Sequence, residues 1–172
     1  MPGDRITLTP ARARYYRAKY AVAQHIAPAH IAEIGVRAGY SAFALLSAAP
    51  DAIYTGYDLD QGTYGGGHGC LDHARKLLAG FNATIRTQDS RTLDELPPGI
   101  DLLHIDGDHT AYGCMSDLNL AYRSGVCWVL VDDYDYIRSV RQSVDLWTAR
   151  HRVPVVPIHE GHRGMALLGL RM

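Results

Sequence analysis

Lysine is scarce in this chain: Lys19 and Lys76 are its only two, so the positive charge rests on arginine. Cysteine is equally thin. Cys70, Cys114 and Cys127 are odd in number and widely spaced, which excludes both a paired disulfide framework and the CxxC spacing of a zinc site. Reduced thiols in a cytoplasmic protein are expected. No apolar run approaches the ~20 residues of a membrane span, and the charged start MPGDRITLTPARARYYR lacks the apolar core of a secretion signal. Charge of one sign is missing too. With 17 Lys+Arg against 18 Asp+Glu, no whole-chain field draws nucleic acid or an anionic membrane. Repeats and Pro/Ser-rich linkers are absent, and 172 residues suit a single domain, 1–172, with residues 1–28 as an N-terminal helix or lid and 29–172 as the core.

What is present is alternation. Helical spacing marks residues 10–27, and HIAEIG is a short strand. SAFALLSAA is a helix, AIYTGYD a strand, and CLDHARKLLAG a helix stopped by Gly80. ATIRTQ, IDLLHID and VCWVLVD are apolar runs of the kind found where both faces of a sheet are covered, separated by two further helical segments. VPVVPI and GMALLGL close the chain as an antiparallel pair. The order predicts an α/β fold: a Rossmann-like, mostly parallel seven-stranded sheet with helices on both faces and an antiparallel last strand. Ligands of such sheets bind beyond the carboxyl ends of the strands, which collects EIG, YDLD, TQD, HIDGD and VDDY on one rim.

Each rim segment carries chemistry. In EIGVRAGYS, Gly35 and Gly39 let the backbone approach a ligand, but the middle glycine that admits a dinucleotide pyrophosphate is missing. A nucleoside with an amino-acid tail fits better, its carboxylate met by Ser41 and nearby N–H groups. Asp58, ending the second strand, suits ribose hydroxyls, and Gln88 or Asp89 can face an adenine edge. The strand ends HIDGDH and VDDY bring together Asp106, Asp132 and Asp133, three carboxylates that a hard divalent cation such as Mg²⁺ would neutralise. His109 and Asp108 stand close by, and either can take a proton from a hydroxyl. His159 and His162 read as solvated turn residues, Arg12, Arg14 and Arg17 as an exposed helix face, and Trp128 and Trp147 as core.

With these residues in view, the chain resembles the class I S-adenosylmethionine-dependent methyltransferases, and among them the divalent-metal-dependent small-molecule O-methyltransferases of the catechol type and the macrolide- and aminocoumarin-sugar type. EIGVRAGYS is similar to their first motif, HIDGDH to the strand carrying the first metal aspartate, and VDDY to the pair completing the site. The resemblance implies Asp106, Asp132 and Asp133 as metal ligands, and Asp58 as the ribose partner. It further implies Gly35, Gly39 and Ser41 around the methionine moiety, with Glu33, Gln88, Asp89 and Asp106 completing the cofactor site. His109 stands where catechol-type enzymes carry a lysine, making it the first candidate for the base and Asp108 the second. The implied partner is a small hydroxylated acceptor, with a homodimer as the expected assembly. A lid would come from the N-terminal helix, the 61–69 loop, Tyr134 and Tyr136, or a second subunit. Two rivals stand beside this reading. One is a non-catalytic S-adenosylmethionine-binding module. The other is a Mg²⁺-dependent aspartyl phosphotransferase built on DGDHT, which expects a lysine that residues 111–131 lack.

Overall fold

A computed structural model describes residues 9–61, 69–160 and 163–171. Seven strands form one sheet in the order β3-β2-β1-β4-β5-β7-β6: β1 His30–Ile34, β2 Ile53–Asp58, β3 Ala83–Thr87, β4 Leu102–Ile105, β5 Trp128–Asp132, β6 Val155–Ile158 and β7 Met165–Gly169. The first five pair in parallel, and β7 runs antiparallel to both β5 and β6. The expected architecture is therefore the observed one. Strand order reverses between β1 and β4, which opens the crevice where ligands of such sheets bind.

Helices α1 (Pro10–Ile26), α2 (Tyr40–Ala48) and α3 (Cys70–Leu77) cover one face, and α4 (Ala111–Arg123) and α5 (Arg138–His151) the other. Thr9 caps α1 by accepting the Arg12 N–H at 3.3 Å, with Pro10 pre-set for the first turn. Thr110 caps α4 in the same way through Gly113 N–H at 3.1 Å. The α3 helix ends before its expected stop at Gly80, the chain leaving at Leu78.

Side-chain alternation along the central strands divides the core. Leu103, Ile105, Val129 and Val131 pack toward α4 and α5, and Ile31, Leu102 and Leu130 toward α1 and α2. β4 and β5 are buried on both faces as expected, whereas β3 is half exposed because it is the sheet edge. Trp147 is core, and Trp128 is partly buried against the separate cluster on the other face of the sheet. Among the described residues no helix is long and apolar enough to cross a membrane.

Candidate active site

The rim of β1, β2, β3 and β4 surrounds a cavity of about 370 Å³. Gly35, Asp58, Gln88, Asp89, Asp106, Asp108 and His109 line it. Gly35 sits at φ +89°, and a Cβ on it would stand 2.1 Å from the Asp106 carbonyl oxygen. Only glycine lets the β1 and β4 tips close to this distance. Asp58 is fixed by two backbone donors, Arg37 N–H to Oδ2 at 2.8 Å and Asp60 N–H to Oδ1 at 2.7 Å. A carboxylate has about four lone-pair sites, so capacity for ribose hydroxyls remains.

At the β4 and β5 tips, Asp106, His109 and Asp133 each offer one ligand atom, all within 4.8 Å of one another. His109 Nε2 lies 3.2 Å from Asp106 Oδ1 and 3.4 Å from Asp133 Oδ2. Its hydrogen bond to Asp106, set against partial burial, raises the imidazole pKa. Burial followed by the nearby charges of Asp106 and Asp132 raises the Asp133 carboxyl, although Arg163 grips both of its oxygens at 3.1 and 3.0 Å. Asp108 turns elsewhere and accepts the Thr110 N–H at 2.9 Å in the turn before α4. Of the two base candidates, His109 is the one placed at the carboxylates.

Asp132 departs from expectation. It was expected on a cation shared with Asp106 and Asp133, yet Oδ2 lies 2.6 Å from Lys19 Nζ and accepts from Tyr15 Oη, and Oδ1 accepts the Asp133 N–H at 2.9 Å. Strand alternation is the cause. As the last residue of β5, Asp132 shares the face of Trp128 and Leu130 and points at α1, while Asp133, at φ +58°, has left the strand and turns its side chain to the other side.

Asp132 terminates a buried polar row across the sheet. Glu33 and His104, opposite each other on β1 and β4, are joined at 2.7 Å through Nδ1, and Tyr54 Oη of β2 donates to the other Glu33 oxygen. His104 Nε2 faces Asp132 at 3.5 Å and has no hydrogen-bond partner among the described residues. Burial and Lys19 oppose charge on this imidazole, but Asp132 and Glu33 outweigh them and lift it to about 9. Burial pushes the Asp132 carboxyl up, yet Lys19 and His104 hold it well below the usual carboxylate range.

Three further cofactor candidates lie off the cavity wall. Glu33 sits in the buried row with both oxygens taken. Ser41 Oγ accepts from Lys19 at 2.7 Å. Gly39, at φ +79°, caps α2 where a Cβ would meet Ala74 at 2.9 Å, so its bareness lets α2 and α3 approach. The α1 helix, expected as an N-terminal helix or lid, has Tyr15, Lys19, Val22 and Ala23 buried in the body of the protein. Its Arg12, Arg14 and Arg17 are exposed, as expected. Residues 62–68 and His162 fall outside the described residues, and His159 pairs with Asp135 at 2.6 Å. Lys19 and His104 escaped the sequence reading as members of the buried row. The signal for His104 was an inward position in LLHI.

Residues 32–134 match the sequence profile of a family described as a methyltransferase domain. No curated protein sequence matches the chain. Solved structures agree on the fold. The O-methyltransferase from Bacillus cereus in complex with SAH superposes with a TM-score of 0.72 at 16% identity, covering 94% of this chain and 82% of that one. The SAH-bound Podospora anserina methyltransferase PaMTH1 gives 0.71 at 16%, with coverage of 96% and 84%. CalS11, a TDP-rhamnose 3'-O-methyltransferase of calicheamicin biosynthesis, gives 0.72 at 16%, with coverage of 94% and 81%.

Proposed function

The chain belongs to the methyltransferase domain family, and from that membership we propose that it carries a methyl group from S-adenosylmethionine to a hydroxyl oxygen of a small molecule, assisted by a divalent cation. The observation that carries the reading is the meeting of Asp106, His109 and Asp133 beside a cavity whose other wall holds Gly35 and Asp58.

The cofactor supplies an activated sulfonium methyl, so the protein's task is positioning. Gly35 gives the backbone close approach, and Asp58 accepts from ribose hydroxyls. The donor set fits a divalent cation as two carboxylates and an imidazole, without Asp132. Asp106 and Asp133 would hold it, with Arg163 released from Asp133, and its Lewis acidity would lower the pKa of the acceptor hydroxyl. His109 Nε2 takes the hydroxyl proton, and the imidazolium that results is stabilised by the carboxylates it already faces. The oxygen then attacks the methyl carbon as the carbon–sulfur bond breaks. One nitrogen cannot both hold the cation and take the proton, so ligand and base roles for His109 are alternatives.

A second reading keeps the transfer and drops the cation. It is favoured by the pairing of two of the acids with protein cations, Asp132 with Lys19 and Asp133 with Arg163, and by the hydrogen bond between Asp106 and His109.

We expect a cytoplasmic enzyme, working as a homodimer and without nucleic acid. Incubation with methyl-labelled S-adenosylmethionine and a panel of sugars and phenols tests the reading, with product ethers identified by mass spectrometry. Labelled ether that vanishes with EDTA and returns with Mg²⁺ supports the cation, and EDTA-resistant turnover selects the second reading. Cofactor binding without turnover on any hydroxyl would make the chain a binding module.

A further inference from the structure

Asp117, midway along α4, is only 2% exposed, yet it lines the cavity beside Gln88, Asp89 and Ser90. Its Oδ1 accepts the Ser90 hydroxyl at 2.8 Å, and no hydrogen bond reaches Oδ2 among the described residues. Burying a carboxylate on a single hydrogen bond is costly, and a buried acceptor without a donor is a feature a ligand can complete. The cost shows in the acidity. Burial, with Asp108 and Asp89 adding their charges, lifts the Asp117 carboxyl to about 7 against the opposing pull of Ser90 and Arg91.

The two residues expected at this end of the cavity are otherwise engaged. Asp89 gives both oxygens to the Arg91 guanidinium, at 2.7 to 3.1 Å, and Oδ1 also takes the Arg91 N–H at 3.0 Å. Gln88 Nε2 points to Thr92 Oγ1 at 3.4 Å. Gly107 lines the cavity with Asp117, and a Cβ there would lie 3.5 Å from Asp117 Oδ2, so no side chain at 107 covers that oxygen.

The order of the strand tips bears on which part of a nucleoside would lie there. Asp58, the proposed ribose partner, stands at the β2 tip, and the neighbouring β3 tip runs into Gln88, Asp89 and Ser90, whose hydroxyl is bonded to Asp117. Asp58 and Asp117 line the same cavity, so a base extending from a ribose at Asp58 would run along this wall. We propose that Asp117 reads the far edge of that base, Oδ2 accepting a hydrogen bond from the exocyclic amine of the purine, and so selects a 6-amino purine over a 6-oxo one. The inference rests on the reading of the cavity as an S-adenosylmethionine site. Ser90 acts here as a positioning residue, since its bond to Oδ1 decides which oxygen is left facing the cavity.

The test is calorimetric titration at pH 8 of the full chain with S-adenosylhomocysteine and with S-inosylhomocysteine, in which a carbonyl oxygen replaces the amine. The wild type should favour the adenosyl compound by roughly tenfold to a hundredfold, the worth of one hydrogen bond to a charged acceptor. In Asp117→Asn, Ser90 keeps the amide oxygen at the Oδ1 position and leaves the NH₂ facing the cavity. That donor repels the amine and accommodates the carbonyl, so the preference should vanish or reverse. A merely structural Asp117 would weaken both ligands alike, and an unchanged ratio overturns the proposal. A third titrant, the N6,N6-dimethyl analogue, tests the wild type alone: affinity equal to that of the parent compound overturns the proposal without any variant. No binding of S-adenosylhomocysteine at all would instead remove the cofactor reading, and this inference with it.

Discussion

Lys19 Nζ lies 2.6 Å from Asp132 Oδ2, with neither side chain exposed to solvent. One of the two lysines in the chain is thus spent inside the protein, tying α1 to the tip of β5. Tyr15 Oη and Ser41 Oγ complete the shell around the ammonium at 2.8 and 2.7 Å.

Removing the cation alone should be severe. Lys19→Met leaves Asp132 buried without its partner, and breaking such a pair typically costs about 3–5 kcal/mol. Replacing both members, Lys19→Met with Asp132→Asn, should recover more than half of the loss. Urea unfolding of the two variants checks this, and a double variant no more stable than the single one would contradict the pairing.

The same contact bears on which acids a proposed cation would use. Asp133→Asn should lower Mn²⁺ affinity at least tenfold, while Asp132→Asn should leave it within about threefold, because Lys19 already holds Asp132 away from the cluster. Mn²⁺ titration followed by electron paramagnetic resonance reads both. Equal losses would return Asp132 to the cation.

For His109, chemistry and ligation separate by the same measurement. His109→Ala should lower kcat by about 10²–10⁴, the usual contribution of a general base, with Mn²⁺ binding retained. Loss of Mn²⁺ together with turnover would make the imidazole a ligand instead.

Why was the rim legible in the sequence and the buried row not? Strand-end aspartates followed by turn residues announce themselves locally, and the α/β order places them on one edge whatever their rotamers. Gly35 could be read the same way, since a glycine leaving a central strand signals close approach. Whether Asp132 or Asp133 joins Asp106 depends on where β5 ends, and a one-residue difference there flips the side chain to the other face. Glu33, His104 and Asp132 stand at alternating positions in HIAEI, LLHI and WVLVD, so their shared face was implicit in the strand period. Lys19 could not be paired from sequence, because 113 residues separate it from Asp132 and only the docking angle of α1 brings them together.

Gly35→Ala should be among the most damaging small substitutions. The positive φ costs on the order of 1–3 kcal/mol for a residue with a side chain. The 2.1 Å approach to Asp106 adds a backbone clash that no rotamer relieves. Lower stability in urea and a loss of S-adenosylhomocysteine binding are both expected. A variant that binds the nucleoside normally would show that the β1 and β4 tips need not touch.

Asp117 carries the clearest pH signature. Its folded carboxyl titrates near 7, against about 3.9 for an unfolded aspartate. Between those values the folded state binds the extra proton, so stability falls as pH rises from 4 to 7 and the penalty is complete above the folded value. Asp117→Asn cannot ionise and removes the penalty. It should therefore be more stable than the wild type at pH 8, by on the order of 2 kcal/mol, with the difference closing or reversing at pH 4. Thermal unfolding of the two proteins across that range reads the slope. A variant that is less stable at pH 8 would mean that the ionised carboxylate is held by donors in the fold, and the site would then have no need of a ligand's amine.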